Sequence, residues 1–192
     1  MTLVAVLAGG ASTRMGRDKA EIEVVDRPMA AWVTDAAEKV GDSVAAGRPG
    51  GLLDLPGLPD PSDERRGPLA GLVAALRAAA GETVLLVAVD QPWVRAETLR
   101  RLGSGVGDVP LVPRHEERRQ VLCAAYPASI LDPASVTLET GGSIQDVLDA
   151  TGYDPVEEST WRSWGEDGRS WFSVDRPEDV AAGLERFGPP GG

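Results

Sequence analysis

The sequence has one cysteine, Cys123, and one histidine, His115, among its 192 residues. A single cysteine cannot form an internal disulfide, and one cysteine with one histidine supplies too few ligands for a zinc site. We expect Cys123 to be a small buried residue, since free cysteine is among the residue types most often found inside folded domains. Disulfides within the chain and cysteine–histidine zinc centres are therefore excluded.

Long apolar runs are also missing, and none approaches the ~20 residues that a membrane-spanning helix needs. No cationic segment precedes the short apolar run at the N-terminus, and that run ends in glycines, so no signal peptide is predicted. The formal net charge is −11, whereas a nucleic acid or an anionic membrane requires a basic surface on its partner. We therefore expect a cytoplasmic protein that binds neither nucleic acid nor membrane.

Lysine is almost absent, since only Lys19 and Lys39 stand beside seventeen arginines. Lys19 lies in the stretch LAGGASTRMGRDKA, residues 7–20, together with Arg14 and Arg17. In an acidic protein, cations concentrated behind a double glycine indicate an anionic ligand. A polyphosphate fits, because glycines let main-chain N–H groups approach phosphate oxygens closely. The alternative interpretation is a tight strand exit followed by solvated charges.

This glycine loop differs from the two common phosphate-binding patterns. Five residues separate Gly10 from Gly16, and Arg17 follows, whereas the Walker pattern needs four residues between its glycines and then Gly-Lys-Ser/Thr. The dinucleotide pattern G-x-G-x-x-G is absent as well. The loop therefore requires another explanation.

Strand and helix patterns alternate along most of the chain, which predicts an α/β three-layer sandwich with an open, mainly parallel sheet. We expect one domain over residues 1–187 and a disordered tail over 188–192. The predicted strands cover residues 3–7, 42–47, 52–55, 83–89, 108–114 and 119–126, with a short extended piece at 20–28. The predicted helices cover residues 28–40, 68–80, 95–102, 143–150 and 177–187.

The opening stretch resembles L-[AG]-G-G-x-S-x-R-M-G-x-D-K, the signature of the molybdenum cofactor guanylyltransferase family within the nucleoside-triphosphate transferase superfamily. Three later segments are similar to further motifs of that family. They are RGPLAGL at 66–72, VAVDQPWV at 87–94 and FSVDRPEDV at 172–180. Every defining position of the signature is present, as Leu7, Ala8, Gly9, Gly10, Ser12, Arg14, Met15, Gly16, Asp18 and Lys19.

The resemblance implies a Rossmann-like nucleotidyltransferase fold and an enzyme that transfers GMP from GTP to a molybdopterin-type acceptor with Mg²⁺. Asp90 matches the metal-binding aspartate, and Asp60, seven residues before Gly67, occupies the place of an acidic residue in the family. Partner proteins implied by the resemblance are molybdoenzymes or other proteins of cofactor biosynthesis. The residues implied to bind the nucleotide are Leu7, Ala8, Gly9, Gly10, Lys19, Asp60 and Asp90.

Elementary chemistry agrees with these roles. An acceptor phosphate that attacks an α-phosphorus needs alignment and neutralisation of negative charge. Arg14 and Lys19 would hold the leaving phosphates, with Lys19 the better candidate for the charge that grows on the α-phosphoryl group. Asp90 follows an apolar strand and would supply a hard carboxylate to Mg²⁺ at the phosphate end of the site. These three residues are the predicted catalytic set.

The closing segment leaves alternatives open, because Ser173, Asp175 and Arg176 replace the Asn, Asn and Thr that the family usually carries. Asp175 is either part of a helix cap or a contact to a second metal or to the acceptor. An aspartate here is closer to the cytidylyltransferases, so CTP with another phosphorylated acceptor is the alternative to GTP. A nucleotide-binding protein without turnover is the rival from a different class.

Acceptor recognition also stays open. Arg114, Arg118 and Arg119 either meet an acceptor phosphate or belong to a charged hairpin turn. The tryptophans of the polar stretch 158–172 either stack on a pterin or pack beneath an irregular loop.

Overall fold

The computed structural model describes residues 2–9, 18–48, 50–59 and 67–191. A sheet of eight strands forms its middle layer, and a separate two-stranded hairpin lies beside it. The strands are β1 (Thr2–Leu7), β2 (Glu23–Val24), β3 (Arg27–Pro28), β4 (Asp42–Ala46), β5 (Gly57–Leu58), β6 (Thr83–Ala88), β7 (Leu111–His115), β8 (Arg118–Arg119), β9 (Cys123–Tyr126) and β10 (Asp154–Val156). The helices are α1 (Met29–Glu38), α2 (Gly67–Ala78), α3 (Ala96–Gly105), α4 (Leu131–Glu139), α5 (Ile144–Thr151), α6 (Glu158–Ser163) and α7 (Pro177–Phe187).

The strand order in the large sheet is β10-β7-β9-β6-β1-β4-β5, with β8 added to β7. Most neighbours are parallel, and β9 runs antiparallel to both β6 and β7. Leu7 pairs with Ala46 of β4 and with Ala88 of β6, so three parallel strands end at the same level. The predicted sandwich with an open, mainly parallel sheet is confirmed.

Helices cover both faces of the sheet, which explains why β1 and β6 are apolar at every position after their first residue, a threonine in both strands. On one face, Val33 of α1 and Leu99 of α3 pack against Val4 and Val6. On the other face, α2, α4 and α5 pack against the alternate residues of the same strands. Cys123 is fully buried in the core on the first of these faces, as expected. Burial raises the pKa of its thiol far above the ordinary value.

A third, smaller cluster lies outside the two main layers. It joins Val24 and Met29 to Trp93, Val174 and Phe187, and so ties α7 to the segment that follows β6. A Cβ added to Gly183 of α7 would overlap the Trp93 ring, so a glycine is needed for this close approach.

Several elements differ from the prediction. The strand expected at 52–55 is a tight turn closed by a bridge between Leu52 and Leu55, and the edge strand is β5, two residues later. Helices α4 and α6 and strand β10 were not predicted. Their sequences carry little apolar periodicity, since only Ala134 and Leu138 of α4, Trp161 of α6 and Val156 of β10 are buried.

The segment 188–191, which belongs to the tail predicted to be disordered, contacts two tryptophans. The carbonyl oxygen of Gly188 accepts a hydrogen bond of 2.8 Å from the Trp93 indole, and Gly191 lies against Trp32. Among the described residues, no helix combines the length and the apolar character that crossing a membrane requires.

Candidate active site

A cavity of about 210 Å³ opens where β1 and β6 end. The N-terminus of α2 reaches it through Pro68, and Leu122 closes another side. Backbone bonds keep the strand ends together beyond the last paired residues. The N–H of Ala8 donates to Ala46 over 3.1 Å, and the N–H of Val89 donates to Leu7 over 3.0 Å. Ligands in open α/β sheets bind at such carboxyl ends. The cavity is lined by Leu7, Ala8, Gly9, Asp18, Lys19, Pro68, Ala88, Val89, Asp90 and Leu122.

Gly9 lies at the point where β1 leaves the sheet and touches the loop after β4. A Cβ on Gly9 would stand 2.7 Å from the carbonyl oxygen of Gly47. Any side chain would therefore push the two loops apart. The double glycine is thus required at its first position by a close backbone approach on the cavity wall.

Lys19 bridges two carboxylates from distant parts of the chain. Its Nζ lies 3.0 Å from Oδ2 of Asp90 and 2.6 Å from Oδ1 of Asp175. The side chains of Lys19 and Asp90 are mostly buried, with 26% and 20% exposure, whereas that of Asp175 is 69% exposed. One cation and two anions therefore meet beside the cavity.

Burial dominates the ionisation of Asp90. It raises the pKa of this carboxyl above its ordinary value, and the Lys19 ammonium opposes the rise only in part. For Lys19, burial alone would lower the pKa, but the hydrogen bonds and charges of Asp175 and Asp90 outweigh it and raise the pKa. The two carboxylates therefore stabilise the charged form of the Lys19 side chain.

The turn after β6 fixes the position of Asp90. Gln91 is buried, and its Oε1 accepts a hydrogen bond of 3.2 Å from the N–H of Ala88. The N–H of Val174 donates to the carbonyl oxygen of Asp90 over 2.8 Å. This last hydrogen bond places the next residue, Asp175, beside Asp90.

Asp18 fixes the backbone of Lys19. Its Oδ1 accepts a hydrogen bond of 3.0 Å from the N–H of Ala20 and so caps the short 3₁₀ turn Lys19–Glu21. Its Oδ2 pairs with Arg48 at 2.6 Å. Arg48 was not predicted, because it follows β4 and only the fold brings it to Asp18.

The cap of α7 does not use the Asp175 carboxylate. Oδ2 of Asp179 accepts hydrogen bonds of 2.8 Å from the N–H groups of both Asp175 and Arg176. Arg176 is the N-cap residue, and Pro177 occupies the first turn. Asp179 therefore supplies the carboxylate that caps α7, whereas the side chain of Asp175 pairs with Lys19.

The acidic residues of this site fit a metal ion that binds both protein carboxylates and substrate phosphates. Among the described residues, no group of three or more His, Cys, Asp or Glu is placed to hold a metal by itself. Asp90 and Asp175 nevertheless converge on one positive charge, the Lys19 ammonium. Mg²⁺ is commonly held by one or two carboxylates and completes its shell with water and substrate phosphates. Two converging carboxylates suit that mode of binding.

Glu166 is a buried carboxylate that sequence patterns did not single out. It accepts hydrogen bonds from the hydroxyls of Thr98 and Ser170 and from the N–H groups of Asp167 and Gly168 at 3.0 and 2.9 Å. The Ser170 hydroxyl also accepts a bond of 3.1 Å from the N–H of Arg95. This network fastens the loop before Val174 to the segment after Asp90. A glutamate within a charged stretch offers no signal of such a role.

Two of the three arginines left between an acceptor contact and a charged hairpin turn form ion pairs. Arg114 pairs with Glu117 and Glu157, and Arg119 pairs with Asp149 at 2.6 Å. These ion pairs favour the interpretation of a charged hairpin.

The late tryptophans lie mostly inside the fold. Trp161 and Trp171 are buried and pack edge to face with ring centroids 5.1 Å apart. Trp164 packs against the same core. The two buried rings favour packing beneath the loop over stacking on a pterin.

The structure brings Leu7, Ala8, Gly9, Lys19 and Asp90 to one cavity. The remaining predicted site residues lie outside the described residues, and their roles stay predictions. They are Gly10, Arg14 and Asp60.

A family model and the curated relatives identify one family. The family model described as MobA-like NTP transferase domain matches residues 4–156. The probable molybdenum cofactor guanylyltransferase of Nostoc sp. is 34% identical over 71% of each chain, and the molybdenum cofactor guanylyltransferase of Cereibacter sphaeroides is 32% identical over 92% of each chain.

Among solved structures, the molybdopterin-guanine dinucleotide biosynthesis protein A of Archaeoglobus fulgidus superimposes with a TM-score of 0.82. It is 25% identical, and the match covers 97% of this chain and 98% of that one.

Proposed function

Because the chain belongs to the family of MobA-like NTP transferase domains, we propose that it transfers GMP from GTP to the phosphate of molybdenum-bound molybdopterin. Its curated relatives are named molybdenum cofactor guanylyltransferases, one of them matching over 92% of each chain. The observation that carries the proposal is the pair of Lys19 and Asp90, 3.0 Å apart at the wall of the strand-end cavity. The products are the guanine dinucleotide form of the cofactor and pyrophosphate.

The reaction forms one P–O bond and breaks another. A phosphate oxygen of the acceptor attacks the α-phosphorus of GTP, and the bond from that phosphorus to the bridging oxygen of the leaving pyrophosphate breaks. Charge on the phosphoryl oxygens grows or shifts during this step, so a fixed ammonium accelerates it. Lys19 supplies that ammonium, and Arg14 is proposed to hold the leaving phosphates.

We propose Mg²⁺ as the metal, held by Asp90 and Asp175. Bound there with the triphosphate, it would neutralise phosphate charge and favour departure of pyrophosphate. Both carboxylates lie next to the end of β6, where the phosphates are proposed to bind. Asp175 reaches this position because Val174 is bonded to Asp90.

The nucleotide is proposed to lie along the end of β1. Gly9 lines the cavity, and Leu7, Ala8 and Val89 provide an apolar wall for the base or ribose. Gly10 and Asp60 complete the nucleotide-binding set in this proposal. A protein that only binds nucleotide has less need of both a leaving-group cation and a metal carboxylate, which favours catalysis over mere binding.

Thermal-shift titration with GTP, CTP, ATP and UTP in the presence of Mg²⁺ tests the nucleotide. GTP should give the largest stabilisation, since a ligand that binds only the folded state raises its melting temperature. An equal or larger response to CTP would reject the guanylyl assignment and favour a cytidylyltransferase.

Pyrophosphate release with molybdenum cofactor as acceptor tests the chemistry. Release should fall to background for Asp90→Ala and Lys19→Ala, and it should persist for Lys39→Ala, which removes the other lysine. Unchanged release from the first two variants would remove both residues from the mechanism. No release from the wild type would favour a nucleotide-binding carrier.

A further inference from the structure

Lys19 occupies the position between two carboxylates that the proposed metal would need. Its Nζ lies 3.0 Å from Asp90 and 2.6 Å from Asp175. Among the ion pairs of the described residues, those of Asp90 and Asp175 are both made with Lys19. One side-chain cation therefore balances two acidic groups at the mouth of the cavity.

A divalent ion and this ammonium cannot share the position. Mg²⁺ binds carboxylate oxygens at about 2.1 Å, so an ion held by both aspartates would lie within the space that Nζ fills. Two positive charges a few ångströms apart also repel strongly in a partly buried site. Metal binding to both carboxylates therefore requires the Lys19 side chain to leave them.

The local structure allows the side chain to leave while its backbone stays in place. Asp18 caps the turn that begins at Lys19 and is itself paired with Arg48, so the main chain is anchored. The side chain is a flexible stem of four carbons ending in a compact charge. Lys19 also lines the cavity beside Gly9. Rotation about the stem would carry the ammonium from the carboxylates toward the place proposed for the nucleotide phosphates.

We propose that Lys19 is an internal counter-cation, which holds Asp90 and Asp175 together in the nucleotide-free protein and exchanges with the divalent metal when a triphosphate binds. The identity of that triphosphate rests on the proposed function, whereas the competition between Lys19 and metal does not. Phosphate oxygens compensate the released ammonium, so metal and nucleotide strengthen each other's binding. Metal alone must displace Lys19 without this compensation and binds weakly.

The test measures binding of Mn²⁺ alone to the intact protein without nucleotide, by the electron paramagnetic resonance signal of free Mn²⁺. Lys19→Met keeps an unbranched side chain and removes the charge. We expect it to bind Mn²⁺ about tenfold more tightly than the wild type, within the range typical of coupled sites. Lys39→Met removes the exposed lysine that follows α1 and should leave Mn²⁺ affinity unchanged.

A nucleotide arm tests the exchange directly. After subtraction of the Mn²⁺ that GTP binds in a protein-free control, addition of GTP should raise the affinity of the wild type for Mn²⁺ by about tenfold, within the range typical of coupled sites. If CTP has this effect and GTP does not, while Lys19→Met still binds Mn²⁺ tightly, the counter-cation role stands and the guanylyl assignment fails. The two proposals are thereby separated.

Equal or weaker Mn²⁺ binding by Lys19→Met would overturn the inference, even if the wild type proves to be an active guanylyltransferase. Lys19→Gln provides a second uncharged variant with a polar end. Circular dichroism and cooperative thermal unfolding identify the folded variants, and tighter Mn²⁺ binding is required of each of them.

Discussion

The N–H of Val174 donates to the carbonyl oxygen of Asp90 over 2.8 Å and joins the closing segment of the chain to the end of β6. The match to the family model ends at residue 156, so this bond recruits a charged group, Asp175, from beyond the matched part. Val174 in turn packs in the small cluster with Trp93 and Phe187. The geometry of the candidate site therefore depends on how α7 packs.

Packing of α7 is tested by Gly183→Ala. The new methyl group overlaps the Trp93 ring, so we expect a loss of about 1–3 kcal/mol in the free energy of unfolding, typical of an overpacked core. Pyrophosphate release should fall as well, because Trp93 and Val174 belong to one cluster. Urea denaturation and the release assay provide the measurements. Gly107→Ala is the control, since a Cβ there meets nothing within 4 Å; equal behaviour of the two variants would contradict the prediction.

The two aspartates of the closing segment should have separable roles. Asp179→Ala removes the acceptor of two N–H groups at the start of α7, so it should cost about 1 kcal/mol of stability. Asp175→Ala removes an exposed ion-pair partner of Lys19, and such pairs contribute roughly 0–1 kcal/mol. Its main effect should be a loss of turnover by about tenfold or more.

Urea denaturation and kcat of both variants check this pair. A large stability loss with normal kcat for Asp175→Ala would assign that residue to the cap after all. Asp179→Ala should retain most of the activity of the wild type.

Stability should depend on pH through Asp90. Burial raises its pKa above the ordinary value of 3.8, against the opposing effect of Lys19. Because the pKa of Asp90 is raised in the folded state, the contribution of this carboxyl to stability is present below the unfolded-state pKa. It is lost as pH rises through the folded-state pKa. Asp90→Asn cannot ionise, so it should gain stability relative to the wild type as pH rises above 3.8.

Urea denaturation at a series of pH values measures this difference. Asp146→Asn is a control of opposite sign, because a hydrogen bond from Ser143 lowers the pKa of Asp146. The wild type should be more stable than Asp146→Asn above the unfolded-state pKa of Asp146, and this difference should be lost as pH falls through the folded-state pKa. A difference between wild type and Asp90→Asn that does not change with pH would contradict the prediction.

The network around Glu166 should be important for stability. Glu166→Ala leaves the hydroxyls of Thr98 and Ser170 and two backbone N–H groups without their acceptor in a buried site. Unsatisfied buried groups cost about 1–3 kcal/mol each, so a loss of about 3 kcal/mol or more in the free energy of unfolding is expected. Glu158→Ala removes only an exposed pair with Arg162 and should change stability by less than about 0.5 kcal/mol. Similar urea midpoints for the two variants would show that the network is dispensable.

Local patterns were sufficient for much of the fold and part of the site. The apolar runs of β1 and β6, the helical spacing of α1 and the Pro-Glu-Asp start of α7 each act over a few residues, and the corresponding elements formed where they were expected. The glycine after β1 and the aspartate after β6 follow from the same patterns, because parallel strands end at one edge of a sheet.

The sequence by itself determined that Lys19 and Asp90 would approach one strand-end site, since both belong to motifs next to buried parallel strands. Only the tertiary structure decided that Asp175 reaches Lys19, that Arg48 pairs with Asp18 and that Glu166 fastens the loop beside them. These contacts join residues that are far apart in the chain. Their geometry is set by the packing of whole helices on the sheet, and a local sequence pattern does not contain that information.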